Sequence, residues 1–230
     1  MKRFWHEAAV IAAEGGGWQV ALDGRPVRTQ GGSAQIVPSR MLAQDLAAEW
    51  QAQGDEVDPG AFPLRDLADL AIDHIRAAPA AQADALLRYG ETDTLLYRAD
   101  PDEPLYRRQI EEWEPLVQAA EARHAITFER TSGIIHRPQP PATIAALREV
   151  LGRADEFTLA AVATLAPLAA SLIVALAAIE TDAEPDALFA AANLEEDWQT
   201  ELWGADAEAT RVRQLRQQAF AAAARFARIS

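Results

Sequence analysis

FTLAAVATLAPLAASLIVALAAI, residues 157–179, carries no charge over a length that would span a bilayer. If it crosses a membrane, the rest of the chain is a set of appendages; if it is buried in protein, the rest must wrap around it. Three features favour burial. Much of the run is alanine, Pro167 interrupts it, and Asp155, Glu156 and Glu180 flank it without the Lys/Arg bias or aromatic anchors of a spanning helix. The stretch therefore reads as a buried core helix, or a helix pair kinked at Pro167.

The remainder supplies what such a helix needs. With 230 residues, half of them hydrophobic, the chain buries one large core or two modest ones. Its net charge of −14 and pI near 4.7 oppose a phosphate-tracking surface, so no nucleic acid is expected as partner. The absence of Cys removes disulfides, thiolate zinc sites, iron–sulfur ligation and Cys nucleophiles. Lys2 is the only lysine, which removes a P-loop lysine, a Schiff-base lysine and a Ser-Lys pair from inside the fold. The start, MKRFWHEAAV, meets aromatic and acidic residues instead of an apolar run, which predicts no signal or transit peptide and a cytoplasmic protein of bacterial type.

Moving outward to the N-terminal side, the periodicity is two. Phe4–Ala13 is an apolar-rich run, Gly15-Gly16-Gly17 turns it into Trp18–Leu22, and Asp23-Gly24 is a two-residue hairpin signal. Strands are predicted at Arg25–Thr29 and Ala34–Val37, giving an antiparallel meander with Pro26 at an edge or strand start. Ser39 is a plausible N-cap for a helix to about Gln53, stopped by Gly54, with Leu42, Leu46 and Trp50 on the face that covers the sheet. From Pro63 the period is 3.6, with Leu64, Leu67, Ala68, Ala71, Ile72 and Ile75 on one stripe. Further helices are predicted at about Ala80–Tyr89, ended by Gly90, at Leu105–Arg123, at Ala142–Leu151 and from Asp155, with extended pieces at Thr94–Tyr97 and Ile126–Phe128. The expected class is α+β: residues 1–60 form a small antiparallel β-meander with a covering helix, and residues 61–230 are mostly helical.

On the C-terminal side lies LEEDWQTELWG, Leu194–Gly204, with two tryptophans, four carboxylates and no base. At helical spacing Leu194, Trp198 and Leu202 share one face, which packs, while Glu195, Glu196, Gln199 and Trp203 gather on a neighbouring face free to meet a partner. From Thr181 to Thr210 there are nine acidic residues and no Lys or Arg, whereas Arg211, Arg213, Arg216, Arg225 and Arg228 follow. A solvated acidic helix partly neutralised by its basic neighbour explains the run, but aromatics beside carboxylates also mark recognition surfaces.

Catalytic patterns are poor. Glu195, Glu196, Asp197 and Glu201 could do acid–base chemistry, but no nucleophile, His or metal-ligand set accompanies them. Glu121-Ala-Arg-His124 matches one half of a di-iron element without a second copy. His6, His74, His124 and His136 show no metal spacing, so neither metal nor cofactor is expected. The rival class to a partner-binding protein is a small-molecule- or metal-binding enzyme using the acidic cluster around Glu195 and Glu196.

Several stretches together resemble the assembly chaperone family for the F1 sector of ATP synthase, the members acting on the α subunit. These are Gly17-Trp18 with Leu22–Val27, Ala48-Glu49-Trp50 with Gln53-Gly54, Thr92-Asp93 with Leu96-Tyr97-Arg98, Arg108-Gln109 with Trp113, Pro115 and Leu116, and Leu194–Gly204. The resemblance implies a small N-terminal α+β domain followed by an orthogonal helical bundle, in a non-enzymatic protein that holds the free α subunit until the β subunit replaces it; separately, a monomer is expected. An important glutamate of the family motif falls on Glu196, with Glu195 where aspartate is frequent and Trp198 where phenylalanine is frequent. The expected partner-binding residues are Glu195, Glu196, Gln199, Glu201 and Trp203, with Gln199 the polar companion of Glu196 and no membrane insertion.

Overall fold

The computed structural model describes residues 2–133 and 135–230. It begins with β1 (Ala8–Ala12), β2 (Trp18–Leu22) and β3 (Arg25–Pro26), a three-stranded antiparallel sheet in sequence order. Asp23 and Gly24 both take positive φ at the β2–β3 turn, which suits the right-handed strand twist. β3 is shorter than expected because Pro26 has no N–H for the ladder, and Ala34–Val37 joins only through isolated bridges, Trp18 to Val37 and Arg28 to Ala34. Gly17 makes the first of these possible. It sits at φ +83°, and a Cβ there would lie 2.8 Å from Ile36 Cγ2 and 2.9 Å from the Val37 carbonyl oxygen.

α1 (Arg40–Gln51) starts where Ser39 Oγ accepts from the Leu42 amide at 3.0 Å, and it packs on β1 and β2 through Leu42, Ala43, Leu46 and Ala47. At its end Trp50 lies between Trp5 and Phe62, with ring centroids 5.0 and 4.7 Å away. The neighbouring Glu49 carboxylate accepts from the amides of Leu64 and Arg65 at 2.7 and 2.9 Å, capping α2 (Pro63–Asp69) from another helix. Burial still outweighs these bonds and raises the Glu49 pKa. α2 widens into a π-helical turn over Leu70–Ile75, and the whole predicted stripe from Leu64 to Ile75 is buried.

α3 (Pro79–Leu86) and the short α4 (Arg88–Glu91) follow. Gly90, expected to end a helix, lies inside α4 instead. Its role is close packing, since a Cβ would meet Leu147 Cδ1 at 3.0 Å and Leu172 Cδ2 at 3.3 Å. β4 (Tyr97–Arg98) pairs in parallel with β5 (Thr131–Ser132), so the second extended piece begins three residues after the end of the expected Ile126–Phe128. Charge pins that register: Arg98 and Arg130 both bind the Glu114 carboxylate, at 2.6 and 2.8 Å, on the intervening α5 (Pro104–His124).

After α6 (Pro141–Gly152), the uncharged stretch forms α7 (Glu156–Ala169) and α8 (Leu172–Ala178). It is a helix pair, but the break is not at Pro167. Pro167 stays within α7, and the chain turns where Ala170 adopts φ +47° and Ser171 caps α8 through the Val174 amide. α7 is enclosed by α2, α3, α8 and α11, with Leu159, Val162 and Leu165 no more than 1% exposed. No described helix is long and apolar enough to cross a membrane. α9 (Pro185–Ala192), α10 (Leu194–Trp203) and α11 (Ala207–Ile229) complete the α+β fold. α11 returns to the start of the chain, where Arg225 meets Asp45 and the Ser39 hydroxyl donates to the Ile229 carbonyl. One buried apolar cluster extends from Trp5 to Phe226.

Candidate functional site

The acidic motif becomes α10, which leaves α9 at Asn193. The Asn193 amide group donates to the Phe189 carbonyl at 2.8 Å, and its Oδ1 accepts from Arg216 Nη2 at 2.8 Å. Leu194, 4% exposed, anchors the first turn. Gly204, at φ +90°, ends the helix, and α11 folds back along it.

This placement distributes the carboxylates between two neighbours. Glu195 faces α5 and accepts from Gln109 Nε2 at 2.7 Å; Gln109 is wholly buried, and its Oε1 accepts from the Ala99 amide at 2.8 Å. Although Glu195 is exposed as a residue, its carboxylate end is tucked against Gln109, and desolvation raises its pKa against the opposing effect of that hydrogen bond. Glu196 and Asp197 face α11, where Arg216 Nη1 and Arg213 Nη2 lie 3.1 and 2.5 Å away. Glu201 returns to α5, bound by Arg108 Nη1 at 2.7 Å; the Arg108 guanidinium lies 5.7 Å from the Trp198 ring centroid. That partner lowers the Glu201 pKa.

The single free face expected for Glu195, Glu196, Gln199 and Trp203 is therefore divided. Glu196 has Arg216 as its companion and not Gln199, because α11 brings a guanidinium within reach that a local helical neighbour cannot match. Gln199 is exposed, with no side-chain hydrogen bond among the described residues. Leu202, expected to pack, is 57% exposed, and Trp203 is 77% exposed. Val212 and Leu215 at the start of α11 are exposed too, so the α10–α11 hairpin carries four exposed large apolar side chains beside its acidic ones.

Arg108, Gln109, Asn193, Arg213 and Arg216 were missing from the expected site. Arg108-Gln109 was visible as a motif and the arginines as a basic run, but neither signal says which carboxylate each meets. Trp113 also has a positional role, since its Nε1 donates to the Ala191 carbonyl at 2.7 Å and fixes α9 on α5. Glu121 is engaged by Arg130 and the Phe128 amide, so the Glu121/His124 pair does not stand as a ligand set. No group of three or more His, Asp or Glu side chains among the described residues is arranged to hold a metal ion.

Comparison with known proteins identifies this architecture. The family model described as ATP12 chaperone protein matches residues 2–121. The chain belongs to the ATP12 chaperone family. This is the ATP synthase assembly-chaperone family that its sequence motifs resemble. The crystal structure of Atp12 from Paracoccus denitrificans is 37% identical and superposes with a TM-score of 0.93 over 99% of this chain and 97% of that one. An aspartate-to-lysine variant of the same Paracoccus protein matches equally well. The crystal structure of a protein from Agrobacterium tumefaciens, 36% identical, gives a TM-score of 0.95 over 99% of this chain and 85% of its own. Among sequences, mitochondrial Protein atp12 of Schizosaccharomyces pombe is 27% identical over 215 residues, 88% of this chain and 74% of the yeast one. Residues in the stretches that carried the sequence resemblance hold structural positions here: Gly17 admits Val37, Glu49 caps α2, Asp93 caps α8 and Gln109 orients Glu195.

Proposed function

We propose that this ATP12-family protein binds the free α subunit of F1 stoichiometrically and covers its assembly interface until the β subunit takes its place. An unassembled subunit exposes apolar surface that aggregates, and a protein cover suppresses this without catalysis. The action proposed is binding alone, in the cytoplasm, by a monomer whose net charge of −14 keeps it soluble.

The observation that carries this reading is the α10–α11 hairpin, where Trp203 and Leu202 stand exposed beside Glu195, Glu196, Gln199 and Glu201. The aromatic and aliphatic groups supply apolar burial, and the carboxylates supply encounter and register against basic client residues. The arginine partners of Glu196 and Glu201 hold the carboxylates in place, and the half-exposed pairs remain reachable by a third charge.

The test is co-purification of the unassembled α subunit with this protein, beside the β subunit and three variants: Trp203→Ala, Gln199→Ala and Glu196→Lys. Selective capture of α, weakened by Trp203→Ala without loss of fold, is the expected result. Equal capture by wild type and all three variants would place the interface elsewhere; capture of neither subunit would reject the function.

A further inference from the structure

We infer that a groove between α5, α8 and α9 is a docking channel for an apolar segment of the client flanked by Lys or Arg. The inference rests on the proposed client, the free α subunit, and adds a second binding element to the α10–α11 hairpin. The groove encloses about 380 Å³, within the range of binding clefts. Its floor is apolar: Leu116, Ala120, Ile173, Leu176 and Leu188 line it, with Ala119 and Ala187 exposed on its walls. Small wall residues leave room for another chain's side chains. From Glu112 to His124 the groove follows α5 for roughly 18 Å, room for about 12 helical or 5 extended residues.

The rim determines the chemistry of the occupant. Glu112, Asp182 and Glu184 stand there without an ion pair or side-chain hydrogen bond among the described residues, while the one rim arginine, Arg123, is already bound to Glu180. His124 is held toward its neutral form by burial first and Arg123 second, so it adds little positive charge. Four rim carboxylates, Glu112, Glu180, Asp182 and Glu184, against the single rim arginine leave an excess of negative charge around an apolar floor, which repels phosphates and carboxylates and attracts a cationic, apolar chain. A second copy of this protein, with its own charge of −14, is an unfavourable occupant.

The groove also continues toward the candidate site. A smaller adjoining cavity of about 250 Å³ shares Glu112, Ala187 and Ala191 with it and reaches Arg108, Leu194 and Asp197. A client segment in the channel would thus leave it at the base of α10, beside the arginine that holds Glu201.

Two full-length variants test the channel. Ala187→Trp fills it from an exposed wall position, and the triple substitution Glu112→Lys, Asp182→Lys, Glu184→Lys reverses its rim without breaking a pair. Affinity for purified, unassembled α subunit is measured at physiological salt, with thermal unfolding as the fold control. Each variant is expected to keep its fold and raise Kd at least tenfold, and a photo-crosslinker at Ala119 should capture an α-subunit segment that is apolar with flanking Lys or Arg. Wild-type affinity in both variants overturns the channel while leaving the client reading intact; no binding by wild type overturns both. Self-association of wild type that Ala187→Trp abolishes, or a crosslink to an acidic segment, also rejects the proposed occupant.

Discussion

The Asp93 carboxylate accepts from the Ser171 hydroxyl at 2.9 Å and, through the same oxygen, from the Ile173 amide at 2.9 Å, while its other oxygen takes the Leu95 amide at 3.1 Å. One buried acid thus joins the turn before β4 to the start of α8, at the point where the uncharged stretch breaks in two. Burial pushes its pKa up to about 6 from an ordinary 3.8, with the three hydrogen bonds opposing that shift.

The sign of the resulting pH dependence follows. Above pH 6 Asp93 is ionised in both folded and unfolded chains and the desolvation cost is full. As pH falls through about 6 the folded chain takes up a proton that the unfolded chain accepts only near 3.8, so this group adds stability on acidification, on the order of 3 kcal/mol in total. Glu114 and Glu121, whose pKa values are lowered, act in the opposite direction below their unfolded value of 4.5. Urea unfolding of wild type and Asp93→Asn at pH 7, 6 and 5 isolates Asp93: the wild-type advantage should grow as pH falls, and a constant difference would contradict the assignment.

Arg216 is predicted to matter more for stability than Glu196. It donates to Glu196, to Asn193 Oδ1 and to the Leu168 carbonyl, and its guanidinium lies 5.8 Å from the Phe189 ring centroid. Arg216→Ala should cost about 1–3 kcal/mol because it leaves several partly buried acceptors unpaired. Glu196→Gln leaves the other two acceptors in place and should cost less than about 1 kcal/mol. Denaturant midpoints of both variants decide the order.

Gly17→Ala forces an L side chain into φ +83° against the Ile36 and Val37 wall. A loss of about 1–3 kcal/mol is expected, measured by thermal unfolding. Gly16→Ala separates backbone strain from collision, since Gly16 has φ +106° but nothing within 4 Å of its added Cβ. It should cost less than Gly17→Ala.

Trp203→Ala should leave stability within about 0.5 kcal/mol of wild type, because the side chain is 77% exposed. Client capture is where its loss should register. A large drop in melting temperature would instead make Trp203 a structural residue.

Much of the fold was legible as local pattern. The Asp23-Gly24 hairpin, the Ser39 cap, the stripe from Leu64 to Ile75 and the Asp155 start of α7 each depend on residues within one turn or one strand. The errors lie where a distant group decides. Gly90 looked like a helix stop, but Leu147 and Leu172 close over it; Pro167 looked like the kink, but the turn falls at Ala170, where Ser171 and Asp93 are ready to start the next helix. The β5 position depends on Arg98 and Arg130 sharing one glutamate, a relation no sequence window contains.

The same division holds for the candidate site. The sequence by itself determined that a charge-free stretch must be buried, that an acidic aromatic helix precedes a basic one, and that Cys- and Lys-based chemistries were closed, because composition and helical period are properties of the chain alone. Only the tertiary structure decided that Glu195 turns to Gln109, Glu196 to Arg216 and Glu201 to Arg108, leaving Leu202 and Trp203 in solvent. A carboxylate is neutralised by whichever donor packing brings within about 3 Å, and that distance is set by helices far apart in sequence.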